Sequence, residues 1–360
     1  MPLNPQPGIL DIELYVGGAS TLQGRRDVVK LSSNENPYGP PPAAIAAMKD
    51  AARLMHLYPS SDHAALRAAL GRVNGIDPDR IICGAGSDEI ISFLAYAYAG
   101  PGTEVVHTRH GFALYRIAAL AAGATPVEVP EANRHVDIDA VLAAITPRTR
   151  LVFITNPGNP TTNRIAEADL VRLADGMPDH AILVLDGAYA EFADGYDGGA
   201  ALAVERVNVL MMRTFSKLYG LGGLRVGWAY ADRGIIDVLN RIRGPFNLGA
   251  PQLAAAEAAL GDTAHTEKTL RENARLRTWL RDQLLSLGIA CDESHANFVL
   301  ARFASAEAAQ AADAALKADG IIVRYVASYK LPEALRITVG DEAACRRVIA
   351  ALRAMTGVAA

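Results

Sequence analysis

Along this 360-residue chain, short uninterrupted apolar runs alternate with longer Ala/Leu-rich stretches. The clearest runs cover residues 151–155, 181–185 and 207–212. Five or six consecutive Val, Ile, Leu and Met residues suit strands covered on both faces, as parallel strands are when helical crossovers pack on each side. The alternation extends over about 43–261 and predicts repeated β-α-β units. The expected fold class is therefore α/β, with a mostly parallel central sheet, helices on both of its faces, and a smaller C-terminal α/β unit.

The punctuation divides the chain into three parts. Residues 1–30 show little periodicity, and Pro2, Pro5, Pro7, Gly17, Gly18 and Gly24 break any regular element, so an N-terminal arm is expected there. A large unit is expected over 31–250. Gly244-Pro245-Phe246-Asn247 interrupts its pattern, and a charged helix over about 263–287, closed by Gly288, leads into a small unit expected over 251–360. That tail reads as a strand at 296–303, a helix at 305–319, short strands at 321–325 and 334–339, and a final helix at 341–355.

Composition narrows the function classes. Hydrophobic residues at 51% and charged residues at 21% describe a globular chain with a substantial core. A net charge of -4, with no basic block, gives nucleic acid nothing to bind. No stretch reaches the roughly 18 apolar residues of a membrane span. The segment before Arg25 lacks the apolar centre of a secretory signal. Cys83, Cys291 and Cys345 are widely spaced, which fits a reduced, cytoplasmic protein. The eight histidines are scattered, with only His107 and His110 close together, so metal hydrolysis is disfavoured.

The three apolar runs lead to Asn159, Asp186 and Lys217, and in an open parallel sheet ligands gather beyond the carboxyl ends of the strands. A lysine drawn partly out of water loses basicity and becomes a nucleophilic amine suited to Schiff-base chemistry. A neighbouring aspartate can pair with a buried cation. Pyridoxal phosphate uses both groups: an amine to hold its aldehyde and a carboxylate to keep its ring nitrogen protonated. Its phosphate would find backbone N–H groups at Gly84-Ala85-Gly86-Ser87-Asp88-Glu89, which follows a short apolar run and opens an apolar helix. Arg225 offers a bidentate guanidinium, and Thr214 and Ser216 offer hydroxyls.

Four segments together resemble the fold type I pyridoxal-phosphate aminotransferases: Leu31-Ser32-Ser33-Asn34-Glu35-Asn36-Pro37, Asn156-Pro157-Gly158-Asn159-Pro160-Thr161, Asp186-Gly187-Ala188-Tyr189 and Arg213-Thr214-Phe215-Ser216-Lys217. Arg336-Ile337-Thr338-Val339-Gly340 and the overall length are most similar to the histidinol-phosphate branch of that family. The resemblance implies transfer of an amino group to 2-oxoglutarate in histidine biosynthesis by a homodimer with shared active sites. It makes Lys217 the covalent anchor, Asp186 the partner of the ring nitrogen, and Asn159 and Tyr189 the partners of the phenolic oxygen. Arg225, Thr214, Ser216 and the backbone of Ser87 and Asp88 become phosphate contacts, and Phe112 the ring stacked on the cofactor. Tyr58 becomes a phosphate contact from the neighbouring subunit.

Substrate contacts are expected from Arg336, Arg324, Asn34 and Asn159. Arg336 opens the run Ile337-Thr338-Val339 and is expected at a strand's edge facing the large unit, clamping a carboxylate, with Arg324 meeting a second anionic group. The sequence departs from the pattern at His110-Gly111, Ser60-Ser61, Gly158, Thr162 and Phe246, none of which bears an assigned side chain. Phe246 lacks a hydroxyl that some members direct at a substrate phosphate. Phenylalanine and tyrosine aminotransferases, and a decarboxylase of the same fold, therefore stand as alternatives.

Overall fold

A computed structural model describes residues 5–15 and 17–356. Of the expected arm, residues 1–4 and 16 lie outside the described residues, as do 357–360 of the C-terminal unit. The arm is not wholly irregular: it holds a 3-10 turn at Ile9–Asp11 and a strand, β1 (Val29–Lys30).

The larger body contains β2 (Ile81–Gly84), β3 (Glu104–Thr108), β4 (Thr125–Val129), β5 (Thr149–Thr155), β6 (Ile182–Asp186), β7 (Val209–Thr214) and β8 (Gly227–Tyr230). They form one sheet in the order β2-β8-β7-β6-β5-β3-β4. All neighbours are parallel except β8, which runs against both β2 and β7. β7 and β8 are joined by a loop with a 3-10 turn at Gly222–Leu224 instead of a helical crossover, so the chain reverses direction there.

Successive residues of each central strand enter opposite cores. Val152 and Ile154 join one hydrophobic cluster while Leu151 and Phe153 join another, and Leu183 and Leu185 are divided in the same way from Ile182 and Val184. Both faces are dry, which explains the unbroken apolar runs.

The smaller body is built on β9 (Ala290–Cys291), β10 (Phe298–Arg302), β11 (Ile321–Ile322), β12 (Arg324–Tyr325) and β13 (Ala334–Thr338). Four of these form an antiparallel sheet in the order β12-β13-β10-β9, while β11 pairs in parallel with β1 of the arm. The expected strand at 321–325 is thus two strands serving different sheets. The long helix Thr263–Ser286 sends Leu276, Leu280 and Leu284 into the core of this body. The preceding helix Ala250–Gly261 does not: Ala255, Ala256, Ala259 and Leu260 pack into the core of the large sheet, against the helix Pro42–Ala52.

Candidate active site

The carboxyl ends of β5, β6 and β7 lie side by side, with Thr155 paired to Asp186 and Asp186 to Met212. Beyond them opens a cleft of about 340 Å³ between the two bodies. Lys217 stands on its floor, in the loop after β7. Asn36 Nδ2 holds this loop through the Leu218 carbonyl at 2.7 Å. Gly220 takes a left-handed φ of 64°, and a Cβ there would collide with the Gly39 carbonyl, so only glycine lets the two chains cross. Lys217 Nζ donates to the Ser33 carbonyl at 3.0 Å. Burial, reinforced by the charge of Arg336, brings its pKa down from the usual 10.5 to about 8.

Asp186 is buried at the end of β6, and its Oδ2 accepts from the Tyr115 hydroxyl at 2.6 Å while Oδ1 accepts from the Ala188 N–H at 3.1 Å. Burial raises its pKa to about 6, against the opposing pull of those hydrogen bonds. Tyr115 is itself fixed, stacked on Phe153 with centroids 4.6 Å apart and bonded to Thr155 Oγ1 at 2.8 Å. A carboxylate kept in so dry a place is prepared to hold a cation.

The arm and the small body supply the opposite wall. Asn34 Nδ2 donates to the Tyr189 hydroxyl at 2.9 Å, and its Oδ1 accepts from Thr338 Oγ1 at 3.1 Å. Tyr189 is buried edge-on against Phe298, and burial pushes its pKa up to about 12. Arg336 Nη1 donates to Asn159 Oδ1 at 2.6 Å and Nη2 to the Ser32 carbonyl at 2.8 Å. Its Nε is buried without a hydrogen-bond partner among the described residues. Arg336 is the third residue of β13, which lies between β10 and β12 and falls within the strand expected over 334–339. Arg324 sits opposite it in the β12–β13 register and also lines the cleft.

At the far end, the helix Ser87–Tyr98 begins after Gly86, whose φ is 83°. A Cβ at Gly86 would strike the Arg225 guanidinium, so glycine here lets the arginine reach the helix N-terminus. Arg225 Nη2 meets Asp88 Oδ2 at 3.0 Å and Nη1 meets Ser216 Oγ at 3.1 Å. Thr214 Oγ1 donates to the same Ser216 oxygen at 2.9 Å. Hydroxyls, a guanidinium and free N–H groups are thus gathered at one point, the donor set an oxyanion takes.

Lys217, Asp186, Asn159, Tyr189, Asn34, Ser87, Asp88, Phe112, Thr214, Ser216, Arg225, Arg324 and Arg336 all line this one cleft. Tyr58 does not. It is 83% exposed and stacks on Phe246 with centroids 4.6 Å apart. Sequence reasoning missed Tyr115, Thr155, Tyr15 and Tyr329, and also the backbone carbonyls of Ser32 and Ser33. None lies in a recognisable motif except the two serines, whose contribution comes from the backbone and not from the side chain.

A fold of this kind, with a lysine and an aspartate flanking an oxyanion cradle, is matched by a family model, aminotransferase class I and II, over residues 26–352; the chain belongs to that family. It is 63% identical over 358 residues to a histidinol-phosphate aminotransferase of Dinoroseobacter shibae, covering 99% of each chain. It is 62% identical over 350 residues to that of Ruegeria pomeroyi, covering 97% of each. A crystal structure of the Sinorhizobium meliloti histidinol-phosphate aminotransferase in complex with pyridoxal-5'-phosphate superposes with a TM-score of 0.90 at 28% identity, covering 97% of this chain and 96% of that one.

Proposed function

We propose that the chain transfers the amino group of L-histidinol phosphate to 2-oxoglutarate, yielding imidazole acetol phosphate and L-glutamate, with pyridoxal phosphate as cofactor. The observation that carries the reading is that a half-desolvated Lys217 and a buried Asp186 flank one cleft that ends in the Ser87, Ser216 and Arg225 oxyanion cradle. The full-length identity to histidinol-phosphate aminotransferases supports the choice of donor. The residues fit the cofactor: an anionic partner for its ring nitrogen, donors for its phosphate, and the aromatic ring of Phe112 lining the same cleft.

When bound, the cofactor supplies an electron-withdrawing ring that takes up charge as the donor's α-hydrogen leaves. Lys217 would anchor it and would take the proton from the donor's α-carbon. Asp186 keeps the ring nitrogen protonated. Asn34 donates into the Tyr189 oxygen, so the tyrosine hydrogen is available to the phenolic oxygen of the cofactor. Arg336 occupies Asn159 Oδ1, leaving the Asn159 amide N–H groups as donors to the same oxygen. Arg336 Nε, without a partner among the described residues, is offered to a substrate carboxylate, and Arg324 to the second anionic group. A phosphate ester and a carboxylate are both oxyanions, so one guanidinium pair serves donor and acceptor in turn.

Tyr58, Phe246, Leu54, Met55 and Leu57 leave an exposed apolar surface in which the Tyr58 and Phe246 rings stack. A second copy docking there would cover it and bring Tyr58 to the partner's phosphate end, making a homodimer with shared sites. The chain divides into an arm over 1–30, a large cofactor-binding unit and a small unit. The packing of Ala250–Gly261 favours a boundary near Asp262 in place of the expected 250/251. A cytoplasmic location fits three cysteines that are all free and buried. No helix among the described residues is long and apolar enough to cross a membrane.

The test is a comparison of donors. With 2-oxoglutarate as acceptor, kcat/KM for L-histidinol phosphate is expected to exceed that for L-phenylalanine by about 10² or more, because a phosphate dianion can accept from both guanidinium groups while the singly charged carboxylate of phenylalanine meets them less fully. Exclusive use of phenylalanine would replace this reading by the aromatic alternative.

A further inference from the structure

His110 takes no part in the chemistry above, yet it is buried, and its contacts cross from one body of the protein to the other. It lies in the turn between β3 and the helix Ala113–Ala121, two residues ahead of Phe112. Its backbone N–H donates to Glu131 Oε1 at 3.1 Å, and the Gly111 N–H closes the turn onto the Thr108 carbonyl at 3.0 Å. Backbone bonds on both sides therefore aim the imidazole. Its Nδ1 lies 2.7 Å from the backbone carbonyl of Tyr329. A carbonyl only accepts, so this nitrogen carries the hydrogen.

Tyr329 ends the 3-10 turn Ala327–Tyr329 that connects β12 to β13. Its side chain is buried and lines the cleft, as Arg336 does. The next residue, Lys330, reaches Glu128 Oε1 at 2.7 Å, but both partners are solvated and such pairs hold little. The buried histidine bond is the firmer tie across this seam. Its loss would strand a buried carbonyl as well as release the turn.

We propose that His110 is a positioning residue for substrate: by bonding the Tyr329 carbonyl it ties the Phe112-bearing turn to the turn that leads into β13 and Arg336, and so sets the width of the cleft on its substrate side. Its mechanical part stands on the contacts alone, while its kinetic consequence rests on the amino-transfer reading. Arg336 must reach a substrate anion within hydrogen-bond distance, and a wall displaced by a fraction of an ångström weakens that grip without altering Lys217 or Asp186.

The experiment compares wild type with His110→Ala and His110→Asn, since asparagine places an amide N–H close to where Nδ1–H stands. Amide hydrogen exchange over residues 326–331 and steady-state kinetics with histidinol phosphate and 2-oxoglutarate are both read. In His110→Ala, exchange in that segment is expected to quicken about tenfold and KM for both substrates to rise about tenfold, with kcat within about twofold and cofactor retained; His110→Asn restores both readouts to within about threefold of wild type. Unchanged exchange and KM in His110→Ala would overturn the proposal, as would a His110→Asn protein no better than the alanine variant. A wild-type protein that transfers no amino group from any donor would defeat the functional reading, and the exchange comparison would still decide whether His110 holds the turn.

Discussion

Lys217→Ala is expected to lower kcat by about four orders of magnitude, since it removes both the covalent anchor and the base that moves the α-proton. The residue is surrounded by groups that prepare it for those tasks. The Leu218 carbonyl is pinned by Asn36, Gly220 permits the close crossing of residues 39–40, and burial together with Arg336 holds the amine near a pKa of about 8. A smaller side chain at 217 faces a cleft and disturbs no core cluster, so the variant is expected to fold. Circular dichroism that matches wild type, beside single-turnover rates with the donor, separates lost chemistry from lost structure. Retention of more than about a tenth of wild-type kcat would exclude Lys217 from both roles.

Asp186→Asn is the second large effect, a fall of about 10² to 10³ in kcat. Asparagine keeps the shape of the side chain but puts an NH2 group in place of one of the two accepting oxygens, so the change removes the negative charge together with one accepted bond. Burial has already raised this carboxyl to a pKa of about 6. A carboxyl with a raised pKa is ionised above that value and gains its proton as pH falls through it. Uptake of cofactor by the cofactor-free protein is therefore expected to weaken on acidification through about pH 6, and that pH dependence is expected to vanish in Asp186→Asn. Tyr115→Phe removes one bond that favours the ionised form, so its uptake midpoint is expected to lie at higher pH than in wild type. Equilibrium titration of cofactor fluorescence across the range reads all three proteins. A wild-type midpoint that Asp186→Asn leaves unmoved would place the controlling group elsewhere.

The sheet was legible because both of its faces are buried: β5, β6 and β7 each carry an unbroken apolar stretch, residues 151–154, 182–185 and 209–212, and each lies within three residues of its predicted position. The direction of β8 was not, because a strand's direction depends on the connection that precedes it, and a loop holding one 3-10 turn carries no periodic signal. Helix Ala250–Gly261 was assigned to the small unit because an alanine-rich helix looks the same whichever core it joins. The polar site was legible where chemistry demands rare combinations, as with Asn159, Asp186 and Lys217 at the ends of three runs. Tyr115 escaped because its partner is 71 residues away along the chain, and the Ser32 and Ser33 acceptors because every residue carries a carbonyl. Arg336 lies within β13, whose bounds Ala334–Thr338 differ from the expected 334–339 by one residue.

The most direct measurement is reduction of the protein, purified with its cofactor, by borohydride, followed by peptide mass mapping. Stable attachment of the reduced pyridoxyl phosphate to the peptide carrying Lys217, at that lysine alone, is the predicted result. A protein that carries no such group, or carries it on another lysine, would contradict the account at its centre.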